Sequence, residues 1–127
     1  MTGAREYIIV ICAGVSPSMG QDEEHKRQAK LFGILLETER EGEKGRVIIC
    51  PTLEEALKAV QDEGAESLVF ISMCMHDKAK EIATENETLR VILLTNSPEN
   101  LPAEGQVVVL NKLPMNSKAL RSACFGS

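Results

Sequence analysis

Ser67-Leu68-Val69-Phe70-Ile71-Ser72-Met73-Cys74-Met75 is the stretch on which the fold turns. Its apolar residues Leu68 to Ile71 follow one another without a polar alternate. Such a run fits a strand covered on both faces, as in a parallel sheet sandwiched by helices. The run stops at Ser72, a small hydroxyl residue at the strand's carboxyl end. In open α/β sheets that end is where ligands and chemistry gather, so Ser72 becomes the reference point for function. Of the two methionines flanking Cys74, one is expected to pack inward.

Working outward, Tyr7-Ile8-Ile9-Val10-Ile11 reads as a β-branched first strand, and Cys12-Ala13-Gly14-Val15-Ser16-Pro17-Ser18 as a loop of small residues. Ser18 with Gln21 resembles a capping box, followed by Asp22, Glu23 and Glu24, which suit a helix N-terminus. That helix should reach about Glu41, with an apolar face of Ala29, Phe32, Gly33 and Leu36 in its second half only. Its polar first half, with His25, should be solvated or frayed. Gly42-Glu43-Lys44-Gly45 ends it. Arg46 to Cys50 is the second strand. Thr52 and Glu55 form a second capping box for a helix with Leu53, Ala56, Leu57 and Val60 on one face and Gly64 as its C-terminal cap.

Beyond the central strand, a weak helix over about Asp77 to Asn86 should point Ala79, Ile82 and Ala83 inward. Val91 to Thr95 is the fourth strand and Gln106 to Leu110 the fifth. Between them Pro98 and Pro102 allow one helical turn at most. Asn116 or Ser117 caps a last short helix carrying Leu120, Ala123 and Cys124. Five strands alternating with helices predict a doubly wound α/β sandwich with a parallel sheet in the order 2-1-3-4-5. The 127 residues leave room for one domain and one core, and with aromatics at 3% that core must be aliphatic.

Fourteen basic residues against 19 acidic ones give a net charge of -5, which argues against a nucleic-acid partner. No stretch approaches the roughly 20 apolar residues that span a membrane. The N-terminus lacks the apolar region of a signal peptide, and four cysteines in a chain with a competent core do not read as a disulfide framework. A cytoplasmic location is the expectation.

Three local patterns give the chain a resemblance to the response-regulator receiver (CheY-like) family over nearly its whole length. Glu54-Glu55-Ala56-Leu57 through Gly64-Ala65-Glu66-Ser67-Leu68-Val69-Phe70-Ile71 is similar to the helix leading into the family's phosphoacceptor strand. Arg90-Val91-Ile92-Leu93-Leu94-Thr95 resembles the fourth strand with its terminal switch residue. Leu110-Asn111-Lys112-Leu113-Pro114 resembles the fifth strand with its Lys-Pro, here separated by Leu113. Thr95 and Lys112 match family positions, but the acids do not. Ser72 stands where the family phosphorylates an Asp, and Cys12 and Ala13 stand where it places the acid pair that binds Mg2+. Neither Cys nor Ala supplies the hard oxygen ligands Mg2+ needs, and Ser72 has no evident base to activate it.

The intervals Ser72–Thr95 and Thr95–Lys112, 23 and 17 positions, are shorter than the family's by roughly a turn or more. The helix after the fourth strand is therefore expected to be short or missing, and the output surface remodelled. Residues 1–127 thus resemble one degenerate receiver, a pseudo-receiver with the flavodoxin-like or CheY-like fold. The resemblance implies a protein–protein interaction module in signal transduction, without catalysis or cofactor, with a protein partner and no membrane insertion. A homodimer is a further option. Lys112, lacking a phosphoryl partner, should be structural and reach loop carbonyls, solvent or Ser72.

Two other constellations compete. The Cys12–Ser18 loop is similar to the phosphocysteine loop of IIB components of sugar phosphotransferase systems. Cys12 would then be the nucleophile, with Ser16 and Ser18 binding phosphate. A Cys-x5-Arg phosphatase is disfavoured because Ser18 occupies the Arg position. Cys12, Cys50 and Cys74, with His76 close behind, fall at neighbouring strand ends and could hold a metal or form a redox pair. The competing view takes them as small buried hydrophobes.

Overall fold

The computed structural model describes residues 5–98, 107–112 and 114–126. Its five strands are β1 (Arg5–Cys12), β2 (Glu43–Cys50), β3 (Ser67–Phe70), β4 (Arg90–Thr95) and β5 (Val107–Asn111). They form one all-parallel sheet in the order β2-β1-β3-β4-β5, the α/β topology expected of a flavodoxin-like or CheY-like fold. Four helices, α1 (Glu23–Glu37), α2 (Leu53–Glu63), α3 (His76–Glu85) and α4 (Ser117–Phe125), accompany them among the described residues. The fifth strand's expected start at Gln106, and the question of a short or missing helix before it, lie outside the described residues.

The unbroken apolar run explains the layering. Every residue of β3 is buried, and the alternation of side chains sends Leu68 and Phe70 to one face and Val69 and Ile71 to the other. The first face packs against Leu53 and Ala56 of α2 and Ala79, Ile82 and Ala83 of α3. The second packs against Ala29, Phe32 and Leu36 of α1 and Leu120, Cys124 and Phe125 of α4. At roughly 25 cal/mol per Å2 of apolar surface, these two aliphatic layers supply the main drive to fold. No described helix is long and apolar enough to cross a membrane.

The capping chemistry of α2 is as expected. Thr52 accepts from Glu55 N, and Gly64 closes the helix in the left-handed region at φ 65°. The start of α1 is not. Asp22, rather than Ser18, is its N-cap and accepts from the backbone N–H of His25 at 2.8 Å. The reason lies in the loop: Ser16 and Met19 exchange backbone hydrogen bonds, so the chain is still turning where the helix was expected to begin. The helix also stops earlier, at Glu37, because Thr38 leaves the helical region and bonds back to Ile34 O through both its N–H and its hydroxyl. β2 is correspondingly longer and starts at Glu43. Gly45 sits where a Cβ would lie 2.9 Å from the carbonyl oxygen of Leu36, so its lack of a side chain lets α1 settle on β2.

Arg121 is the least expected buried residue. Its guanidinium donates to Leu35 O at 3.0 Å, Thr38 O at 2.6 Å and Glu43 O at 2.9 Å, and it lies over the Phe125 ring. It thus serves the carbonyls of Leu35 and Thr38 at the end of α1 and joins the Arg40 N–H on Glu43 O at the start of β2.

Candidate functional site

At the carboxyl edge, Ser72, Thr95 and Lys112 line one cleft of about 260 Å3, together with Glu24, His25, Gln28, Met73, Asn96 and Ser97. All three expected residues are nearly inaccessible, and each is committed to the backbone. Ser72 leaves β3 in extended geometry and caps a 3-10 turn (Met73–Met75), its hydroxyl accepting from Cys74 N at 3.3 Å. The same hydroxyl donates to Val15 O in the β1–α1 loop at 2.5 Å. Thr95 Oγ1 accepts from Ser97 N at 3.1 Å. Lys112 Nζ donates to Ile71 O at 2.8 Å, a loop carbonyl beside Ser72 rather than Ser72 itself. Burial lowers the Lys112 pKa, against the opposing pull of the Glu24 and Asp22 carboxylates.

Those two acids, with His25, are what the sequence reading missed. His25 was expected to be solvated. Instead its side chain is only 17% exposed, with Nδ1 2.7 Å from Asp22 Oδ1. The His25 backbone N–H, then its ring, holds the Asp22 carboxyl below the usual range. The available signal was the run Asp22-Glu23-Glu24 itself. A helix opening at the carboxyl edge aims its first turn at the residues ending the neighbouring strands, so acids there face Lys112. Met75 packs inward under this edge and Met73 lies exposed at its rim.

Cys12 and Ala13 do not line the cleft. Both are fully buried in the core layers, and Ala13 N donates to Cys50 O at 2.8 Å. Burial pushes the Cys12 thiol up to about 11, with only the Gly14 backbone N–H pulling the other way. The four candidate metal or redox ligands do not come together as one set. Cys12 and Cys50 are partners in the β1–β2 register and both are buried, whereas Cys74 is exposed on the turn. His76 Nδ1 lies 3.7 Å from Asp77 Oδ1, and its Nε2 is buried without a partner. Among the described residues no three His, Cys, Asp or Glu side chains come together as a metal ion would require. Ser16 and Ser18 stand 3.4 Å apart, hydroxyl to hydroxyl, on the exposed side of the loop.

This arrangement sets the order of thiol reactivity. With iodoacetamide near neutral pH, Cys74 should be alkylated first, while Cys12 and Cys124 should be protected together. Peptide mapping of a time course checks this. Modification of Cys12 ahead of Cys74 would show that the loop opens and exposes a reactive thiol.

Chemically, the cleft offers neutral hydroxyls, one anchored ammonium and acids from the first turn of α1. It has no carboxylate at the end of β3 and no adjacent pair at the end of β1. Compared with known proteins, the chain matches no family model, no curated protein and no solved structure.

Proposed function

We propose that the chain is a pseudo-receiver: a receiver-like module that works in signal transduction by binding a protein partner, without catalysis and without aspartyl phosphorylation. The sheet order is compatible with this reading but is shared by many unrelated functions, so the fold alone cannot carry it. The observation that carries it is the saturation of the pocket. At the position matching the family's phosphoacceptor, the Ser72 hydroxyl is consumed by the Val15 carbonyl and the Cys74 N–H. At the position matching the family's lysine, Lys112 is held by Ile71 O. A phosphoryl group would have to displace both bonds, in a cleft that the Glu24 carboxylate already makes unfavourable for a further negative charge.

The phosphocysteine reading draws no support from the same geometry. A nucleophilic thiol needs exposure and a lowered pKa, and Cys12 has neither.

The test is incubation of the protein with acetyl phosphate and Mg2+, read by intact mass. No phosphoryl adduct is expected. An acid-labile gain of one phosphoryl group on any residue would overturn the proposal.

A further inference from the structure

Helix α1 buries Ala29, Phe32, Gly33 and Leu36 against the sheet. Its opposite pole is not polar throughout: Leu31 is 58% and Ile34 61% exposed, the two most exposed large aliphatic side chains among the described residues apart from Met19. Three positions apart, they are surface neighbours, and Arg27, four before Leu31, extends the same stripe. The steps of four and three from Arg27 to Leu31 to Ile34 are those of a coiled-coil seam. Lys30 and Glu37, seven apart, lie together along one flank of that seam. Both are exposed, and neither forms an ion pair among the described residues.

The charges choose the occupant. Seven positions is too far for Lys30 and Glu37 to pair within one helix. If a second α1 lies antiparallel across the seam, Leu31 meets Ile34 of the other copy and Lys30 meets Glu37 of the other copy, twice by symmetry. In a parallel arrangement the two-fold axis would put this flank of the two copies on opposite sides of the seam, so Lys30 and Glu37 of different copies would not meet.

We propose that the outer face of α1 is a self-association surface on which a second copy of the chain packs antiparallel, with Leu31 and Ile34 at its centre. The inference is independent of the pseudo-receiver reading. A single pair of short helices covers less surface than a permanent dimer needs, so the association is weak, with half-saturation on the order of 100 μM.

Sedimentation velocity of the whole chain, from about 5 to about 500 μM under reducing conditions, tests it. The wild type should shift from monomer to dimer over that range. Leu31→Gln with Ile34→Gln, two exposed positions given a good helix former, should stay monomeric with an unchanged circular dichroism spectrum. Lys30→Glu and Glu37→Lys should each weaken association about tenfold, because each turns two attractive pairs repulsive. Both exchanges in one chain should restore it to within about threefold. A wild type monomeric at every concentration would overturn the proposal, as would a dimer indifferent to Leu31 and Ile34. A double exchange no better than the single ones would overturn the antiparallel pairing.

Discussion

Raising the pH from about 8 to about 11 should strongly destabilise the protein, and the buried thiols should be the main cause. Burial pushes Cys12 up to about 11 and Cys124 up to about 12. An exposed thiol in the unfolded chain titrates near 8.5. Both groups therefore hold protons in the folded state that the unfolded state releases. Their contribution to stability is complete below the unfolded value and is lost as pH rises toward 11 and 12. Each thiol loses about 1.4 kcal/mol per pH unit in that window, so two thiols over two units lose roughly 5 kcal/mol. That is a large share of the 5–15 kcal/mol typical of a domain. Tyr7, raised chiefly by its hydrogen bond to Glu43, and Cys50, raised chiefly by burial, act with the same sign. Lys112, lowered by burial, opposes them, because its unfolded form binds the extra proton there. Urea midpoints at pH 8, 9, 10 and 11 should fall steeply for the wild type. They should fall less for Cys12→Ala with Cys124→Ala, whatever that variant loses at pH 8 through its smaller side chains. A wild-type midpoint unchanged from pH 8 to 11 would show that the thiols are not buried as described.

Arg121→Met should cost about 3 kcal/mol, lowering the melting temperature by about 10 °C. The planar guanidinium reaches three carbonyls at once, and a methionine would take that donor from Leu35 O and Thr38 O and leave Glu43 O with the Arg40 N–H alone. Its charge also lies at the C-terminal end of α1, where the helix dipole favours a cation. Arg121→Lys should recover less than half of the loss, since a single ammonium cannot present the same fork of donors. Differential scanning calorimetry of the three proteins decides the matter. A methionine variant within 1 °C of the wild type would mean that water serves those carbonyls equally well.

The contrast between Arg121 and Thr52 shows which features could be read in advance. Thr52, Glu55 and Gly64 act within one helix, so their spacing alone announces a cap at each end. β3 was equally legible, because a strand covered on both faces carries an apolar run without polar alternates, here Leu68 to Phe70. The start of α1 was harder. Ser18 and Asp22 are both good caps, and the choice between them depended on whether Ser16 and Met19 would close a turn. Arg121 gave no local sign at all, because its acceptors lie 78 to 86 residues away along the chain. The cleft was legible in part. Ser72, Thr95 and Lys112 fell together because strand ends of a parallel sheet share an edge. Cys12 and Ala13 also end a strand, but they belong to the two core layers, Cys12 with Cys50 and Leu53 and Ala13 with Ala29 and Phe32, and no local pattern separates a strand end that enters the core from one that opens on the cleft.

The central placement of β3 has a consequence for the chain as it is made. β1 and β2 pair over eight residues, and β3 then adds to the free side of β1. Its other side waits for β4, which begins at Arg90, some 20 residues after Phe70. At the ribosome's elongation rate that gap lasts on the order of a second or more. During it, Leu68 to Ile71 form a strand edge with no charge, no proline and no bulge to discourage pairing with another nascent chain. The strand that lies deepest in the finished protein is therefore one that passes part of its synthesis with an edge unpaired.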